Sequence, residues 1–363
     1  MTNPESTHLW ERVDELVPPS RSLSELRVHH LQLLAAARWR RMGLSVPEEL
    51  VLEERAFAAR RLAADVVLRQ VRAAATGPIV AFKGPEAAAH YREPGARPFV
   101  DLDVLVPDPG ATHRLLLAAG FEPFGEEEQY YDGLHHVQPL RWRGLPLSVE
   151  LHHHPNWVDW ATPPSGDAVF GRTVPARVGV DGVSALEPGA HALVLAVNSW
   201  SDFPLRRVLD LVDIAAVLGP LDPAAVQPLA DEWDVGGVWK VTSQALAHVL
   251  YGAPPPSAVR VWAKATASVR DVTVVENHVR RLVSVFWVLP LHRALRIFPR
   301  VVSRELGPTE GETWSSKLKR MRAAVRNAFS PRSKHDEALG TAAHQLRRSR
   351  RRDVAEGEKP PDP

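Results

Sequence analysis

The chain has no cysteine in its 363 residues. That excludes disulfides, thiolate zinc ligands and cysteine nucleophiles, and it fits a cytoplasmic protein. Strong charge of one sign is also missing. The formal net charge is +1, so no global basic field argues for nucleic acid. Long apolar runs are absent too. The longest near the C-terminus, Val285 to Leu291, is far short of the roughly 20 residues of a membrane-spanning helix. The first thirty residues hold no basic segment followed by an apolar one, so no secretory signal is expected. No internal repeat is visible. What is present is ordinary for a globular protein, 45% hydrophobic and 24% charged residues. The length suits about two to three domain-sized units.

The most informative stretch runs from Pro78 to Pro107. Ile79-Val80-Ala81-Phe82 is a short apolar run stopped by Lys83-Gly84, which predicts a buried strand, a tight turn and a short helix over Pro85–Tyr91. A second β-prone run, Phe99 to Val106, carries Asp101 and Asp103. Residues two apart on a strand share a face, with Cα atoms about 6.6 Å apart. Two carboxylates that close on an apolar strand repel, and a divalent cation between them removes the penalty. Asp-x-Asp alone is common and usually solvated. The preceding Lys83-Gly84 turn adds a cation and backbone N–H groups that suit a phosphate.

Upstream, apolar spacing predicts a helix from Ser24 to Met42, capped by Ser22 or Ser24, and a longer one from Pro47 to Ala75. The expected buried stripe of the latter is Leu50, Ala58, Leu62, Val66, Leu68 and Val71. Downstream, Asp108-Pro109-Gly110 opens a helix to Ala119. A hairpin follows, with strands Leu134–Trp142 and Leu145–His152 about an Arg143-Gly144 turn. The return strand supplies Glu150 as a third carboxylate. His152 shares its parity and is placed to touch phosphate or orient a carboxylate. His153, His154 and the pair His135-His136 read as exposed. Residues 155–183 read as loops with one strand at Thr173–Val178. Helices are expected from Pro188 to Trp200, near Leu205–Ile214, and as a pair between Val226 and Tyr251.

Lys83-Gly84, Tyr91, Arg97, Asp101-Leu102-Asp103-Val104-Leu105-Val106 and Glu150-Leu151-His152 together resemble the bacterial "uncharacterised nucleotidyltransferase" family, within the DNA polymerase β-like superfamily. The resemblance covers roughly residues 25 to 255. It implies an α/β (α+β) fold, a small mixed β-sheet nucleotidyltransferase core with flanking N- and C-terminal helical segments. It also implies an enzyme that moves a nucleoside monophosphate from a nucleoside triphosphate to a small-molecule or peptide hydroxyl. Asp101, Asp103 and Glu150 would hold Mg²⁺ or Mn²⁺. Lys83, Gly84, Arg97 and His152 would hold the nucleotide. The helix with the family's Leu-x-x-Leu-x-Asp-Leu pattern puts Arg206 and Asp210 on the acceptor side. Asp210 bonded to Arg206 one turn earlier is the plainer reading of that pair. This chain departs from the superfamily with Lys-Gly-Pro at the turn, and from the family with Val208 at the second Leu and Asn198 where a His is usual.

The expected division is an N-terminal helical segment (1–75), a nucleotidyltransferase core (76–183), a helical domain (184–265) and an amphipathic, basic extension (266–363). In the extension, Val279 to Val302 mixes large apolar residues with arginines and is broken at Pro290. It reads as a helix packed on the domain, or as an interfacial helix on anionic lipid. The tail ends in Arg347-Arg348-Ser349-Arg350-Arg351-Arg352, a run of a kind that sometimes binds lipid or nucleic acid. Two alternatives to catalysis stay open. One is an inactive nucleotidyltransferase fold used for binding in a biosynthetic pathway. The other is a membrane-peripheral or nucleic-acid-associated protein acting through this segment.

Overall fold

The computed structural model describes residues 4–126, 128–131, 134–261, 264–307 and 313–333. The Arg347–Arg352 run lies outside them. The chain divides into two compact units, one of residues 1–269 with 286–290, the other of 270–285 with 291–363.

The first unit is a mixed α/β fold around a seven-stranded sheet. Its strands are β1 (Ile79–Ala81), β2 (Asp101–Leu105), β3 (Phe121–Pro123), β4 (Leu140–Trp142), β5 (Ser148–His152), β6 (Thr173–Pro175) and β7 (Val183–Leu186). Their order is β3-β4-β5-β2-β1-β7-β6. β2 is central and runs parallel to β5 and antiparallel to β1. The expected hairpin forms as β4 and β5, with Gly144 in the turn at φ +82°. β3 and β7 are strands the sequence reading passed over. β7 pairs parallel with β1 and leads directly into the next helix at Pro188.

Period-two alternation sorts the sheet between two cores. Ile79, Ala81, Leu102, Val104, Val149 and Leu151 face one core, built with the Glu48–Ala74 helix and Leu116 of the Pro109–Ala118 helix. Val80, Phe82 and Leu105 face the other, built with the Pro188–Asp202 and Val208–Leu218 helices. The long helix is buried through Leu50, Ala63, Ala64, Val67, Leu68 and Val71. Leu62 and Val66, expected on that stripe, are 73% and 47% exposed. Ala63 and Ala64 take the buried positions instead. The predicted helix over 24–42 is two, Leu23–Val28 capped by Ser22 and Gln32–Arg41, broken where His30 takes φ +57°.

The second unit is helical. Val274–Val283 begins with a reciprocal cap between Thr273 and Glu276. Its first turn is pinned by Val274 and Val275 N–H groups donating to the Ser330 and Ala328 carbonyls. Helices Leu291–Leu306 and Trp314–Arg326 complete it. Among the described residues no helix is long and apolar enough to cross a membrane.

Candidate active site

Pairing between β2 and β5 sets Asp101 beside Ser148, Asp103 beside Glu150 and Leu105 beside His152. With Leu102, Val104, Val149 and Leu151 packed in the opposite core, Asp101, Asp103, Glu150 and His152 share one face. His152 Nε2 lies 3.1 Å from Asp103 Oδ1 and 3.7 Å from Glu150 Oε2. One ligand atom each of Asp103, Glu150 and His152 falls within 4.8 Å of the other two.

Lys83 reaches the same cluster from the end of β1, its Nζ donating to Asp103 Oδ1 at 3.1 Å. Gly84 follows at φ +54°, and a Cβ there would stand 2.9 Å from the Asp101 carbonyl oxygen. Only glycine combines that backbone angle with so close an approach between the turn and β2.

Charge is unevenly shared. Burial works to raise the Asp103 carboxyl, but the Lys83 ammonium and His152 outweigh it and hold it below the usual carboxylate range. Asp101 goes the other way, pushed up to about 6 by burial and by the Asp103 charge. Burial pulls His152 down to about 4, against the pull of Asp103, so the ring is neutral at pH 7. Lys83 stays charged, because Asp103 more than offsets its desolvation.

The residues fit a divalent cation. His152 is completely buried, and neither ring nitrogen has a hydrogen-bond partner; its approach to Asp103 is close but not aligned as a hydrogen bond. A neutral imidazole with an orphaned nitrogen beside two carboxylates is a usual donor set for such a metal.

His135 and His136, read from sequence as exposed, pack over this cluster. Their rings lie 5.2 and 5.4 Å from that of His152, and His136 Nε2 is 4.0 Å from Glu150 Oε2. The segment is held there by bonds from Val137 N–H to the Leu151 carbonyl and from His153 N–H to the His135 carbonyl. Burial, with the other histidines, depresses His135 to about 3.

Arg97 lines the same cavity as the acidic residues, but its hydrogen bonds go elsewhere. Its Nε and Nη2 each donate to an oxygen of Asp213 at 2.7 Å, and Nη1 donates to the Gly84 carbonyl at 3.1 Å. Tyr91 donates to Asp213 as well, at 2.5 Å. Asp213, from the Val208–Leu218 helix, was not singled out in the sequence; it lies three residues beyond Asp210 in a run that otherwise reads as apolar. His191, also unremarked, bonds the Phe82 carbonyl at 2.6 Å, just before Lys83.

A cavity of about 740 Å³ opens over the strand face. Lys83, Gly84, Asp101, Asp103 and Glu150 form one side; Asn198, Arg207 and Asp210 are on its helical wall. Arg206 is not among the lining residues and stands 5.6 Å from the Phe203 ring centroid. Of the residues singled out in the sequence, the structure therefore gathers Lys83, Asp101, Asp103, Glu150 and His152. It pairs Arg97 with Asp213, and it keeps Gly84, Arg97 and Asp210, without Arg206, among the cavity-lining residues.

A family described as uncharacterised nucleotidyltransferase matches residues 17–247. The chain belongs to that family. The match contains every residue of the acidic cluster and of the cavity wall. No curated protein and no solved structure matches the chain. Family membership gives a nucleotidyltransferase-type α+β fold, and an acidic site suited to a divalent metal stands at the centre of its sheet.

Proposed function

We propose that this nucleotidyltransferase-family protein moves a nucleoside monophosphate from a nucleoside triphosphate to a hydroxyl of a small-molecule or peptide acceptor. The observation that carries the reading is the convergence of Asp103, Glu150 and the buried His152, with Asp101, Asp103 and Glu150 lining a cavity large enough for a nucleotide. The acceptor oxygen bonds to the α-phosphorus, the α–β phosphoanhydride bond breaks, and pyrophosphate leaves. A divalent metal, Mg²⁺ or Mn²⁺, would supply charge neutralisation at the transferring phosphoryl group. Asp101, Asp103, Glu150 and His152 would hold it. Glu150, at 24% side-chain exposure the most accessible of the cluster's three donors, would take the acceptor proton.

Lys83 would exchange Asp103 for a phosphate oxygen when nucleotide enters. Arg97 acts through the turn rather than on the nucleotide. Bonded to both Asp213 and the Gly84 carbonyl, it holds the Lys-Gly backbone against β2. The protein's own contribution is thus positioning and fixed charge.

A second reading has one observation in its favour. Lys83 already neutralises Asp103, as it would in a fold that binds nucleotide without turning it over. Thermal denaturation with each nucleoside triphosphate, with and without Mg²⁺ or Mn²⁺, tests metal-dependent binding. Wild type should be stabilised only when both are present, and Asp103→Asn should lose the effect. A shift of equal size in the variant contradicts the metal site.

A further inference from the structure

We propose that the second unit is a docking surface for an anionic lipid bilayer. This does not rest on the nucleotidyl-transfer reading. The Leu291–Leu306 helix has Leu291 67%, Leu295 57% and Leu306 46% exposed. The Trp314–Arg326 helix has Trp314 62%, Leu318 49% and Val325 77% exposed, followed by Phe329 at 86%. Spacings of four, seven and eleven put each set on one side of its helix. Exposed aliphatic and aromatic side chains in such stripes are out of place on a surface that faces only water.

The charge around the stripes selects the occupant. Arg293, Arg296 and Arg300 stand on the other side of the first helix from its stripe, and Lys319, Arg322 and Arg326 flank the second stripe. Glu305 is the one carboxylate in the two helices. Its side chain is only 7% exposed and is held inside the unit by His278 at 2.5 Å and Arg281 at 3.2 Å. The accessible charge is therefore positive. A second copy seated stripe to stripe would crowd the flanking Lys319, Arg322 and Arg326 of both chains and leave the arginines on the other side of the first helix unanswered. A nucleic acid would answer the charge and leave Leu291, Leu295, Trp314 and Phe329 in water. A bilayer with acidic headgroups answers both, since apolar side chains enter the acyl boundary while Arg and Lys stay among the phosphates. Neither helix can cross the membrane, which leaves an interfacial position.

Flotation of the full chain with large unilamellar vesicles tests this. With 30 mol% phosphatidylserine in phosphatidylcholine, about this acidic content being enough to set a surface potential, the protein should float. On pure phosphatidylcholine binding should fall at least about tenfold, and 0.5 M salt should weaken it markedly. The exposed-site variant Trp314→Ser/Leu318→Ser/Phe329→Ser should keep the wild-type melting temperature and also lose at least about tenfold. Lys319→Glu/Arg322→Glu/Arg326→Glu should behave the same way. No flotation on acidic vesicles overturns the proposal. So does flotation unchanged by the Ser variant, tight binding of a 30-mer oligonucleotide that this variant leaves intact, or a stable dimer that the variant dissociates.

Discussion

Arg97 and Asp213, 116 residues apart, form a buried two-pronged ion pair, Nε and Nη2 each 2.7 Å from a separate carboxylate oxygen. The pair ties the segment before β2 to the Val208–Leu218 helix, and its remaining nitrogen holds the Gly84 carbonyl. The connection runs from the helical wall of the cavity to the turn that carries Lys83.

Removing one partner of such a pair leaves a buried charge without compensation, at a cost of about 3–5 kcal/mol. Arg97→Met and Asp213→Asn should each lower unfolding free energy in urea by about that much. The double variant should lose less than the sum, because the second change removes the stranded charge. Additive losses would show that the two residues act separately.

The two aspartates of β2 should part company. Asp101, raised by burial and by Asp103, is ionised at pH 7.5 at an energetic cost, so Asp101→Asn should raise the metal-free melting temperature there by on the order of a few degrees. Asp103 is the partner of Lys83, and Asp103→Asn should lower it. From the sequence alone, repulsion suggests that both changes are harmless or favourable. The pH dependence follows the same sign. Asp101 binds its proton more tightly folded than unfolded, so its contribution is present near pH 4 and is lost as pH rises through about 6. Asp101→Asn should flatten that part of the metal-free stability profile.

His191 slopes the other way. Burial depresses it to about 4, although the Phe82 carbonyl at 2.6 Å favours the protonated ring. The unfolded ring takes up its proton near 6.5. The neutral folded form is therefore fully favoured above that pH, and the stability it contributes is lost as pH falls toward about 4. Subtracting the stability profile of His191→Gln from that of wild type between pH 4 and 7.5 should leave a curve that rises with pH. A flat difference would contradict a buried neutral His191.

Lys83→Met keeps the aliphatic stem and removes the charge. In the metal-free protein it strands Asp103, so the melting temperature should fall whatever the role of Lys83 in binding. The binding ratio decides that role. Triphosphate affinity should drop by about 1.5–3 kcal/mol, with nucleoside affinity unchanged, in calorimetric titrations. An unchanged ratio would leave Lys83 as a support for the turn alone.

Local spacing made the acidic face legible. Asp101 and Asp103 stand two apart in a β-prone run, and Glu150 and His152 repeat that parity in the return strand of a hairpin. The unread parts depend on tertiary placement. His135 and His136 fall in the predicted strand Leu134–Trp142, of which only Leu140–Trp142 forms as β4; they reach His152 because Val137 and the His135 carbonyl extend the pairing along β5. Asp213 lies in a helix whose apolar residues carry the visible signal. β7 is four residues long and is followed at once by Glu187-Pro188, so its period of two merges with the start of a helix. On the Glu48–Ala74 helix, hydrophobicity favoured Leu62 and Val66, whereas the face turned to the core carries Ala63 and Ala64.

Label transfer tests the central claim most directly. Purified protein, Mn²⁺ or Mg²⁺ and host extract are incubated with each nucleoside triphosphate carrying ³²P at either the α or the γ position, and labelled products are separated from nucleotide. The account predicts a new labelled acceptor from one α-labelled nucleotide, none with Asp103→Asn, and γ-label recovered in the released pyrophosphate and not in the acceptor. Protein-dependent γ-label on the acceptor, or α-label transfer that survives Asp103→Asn, would contradict it.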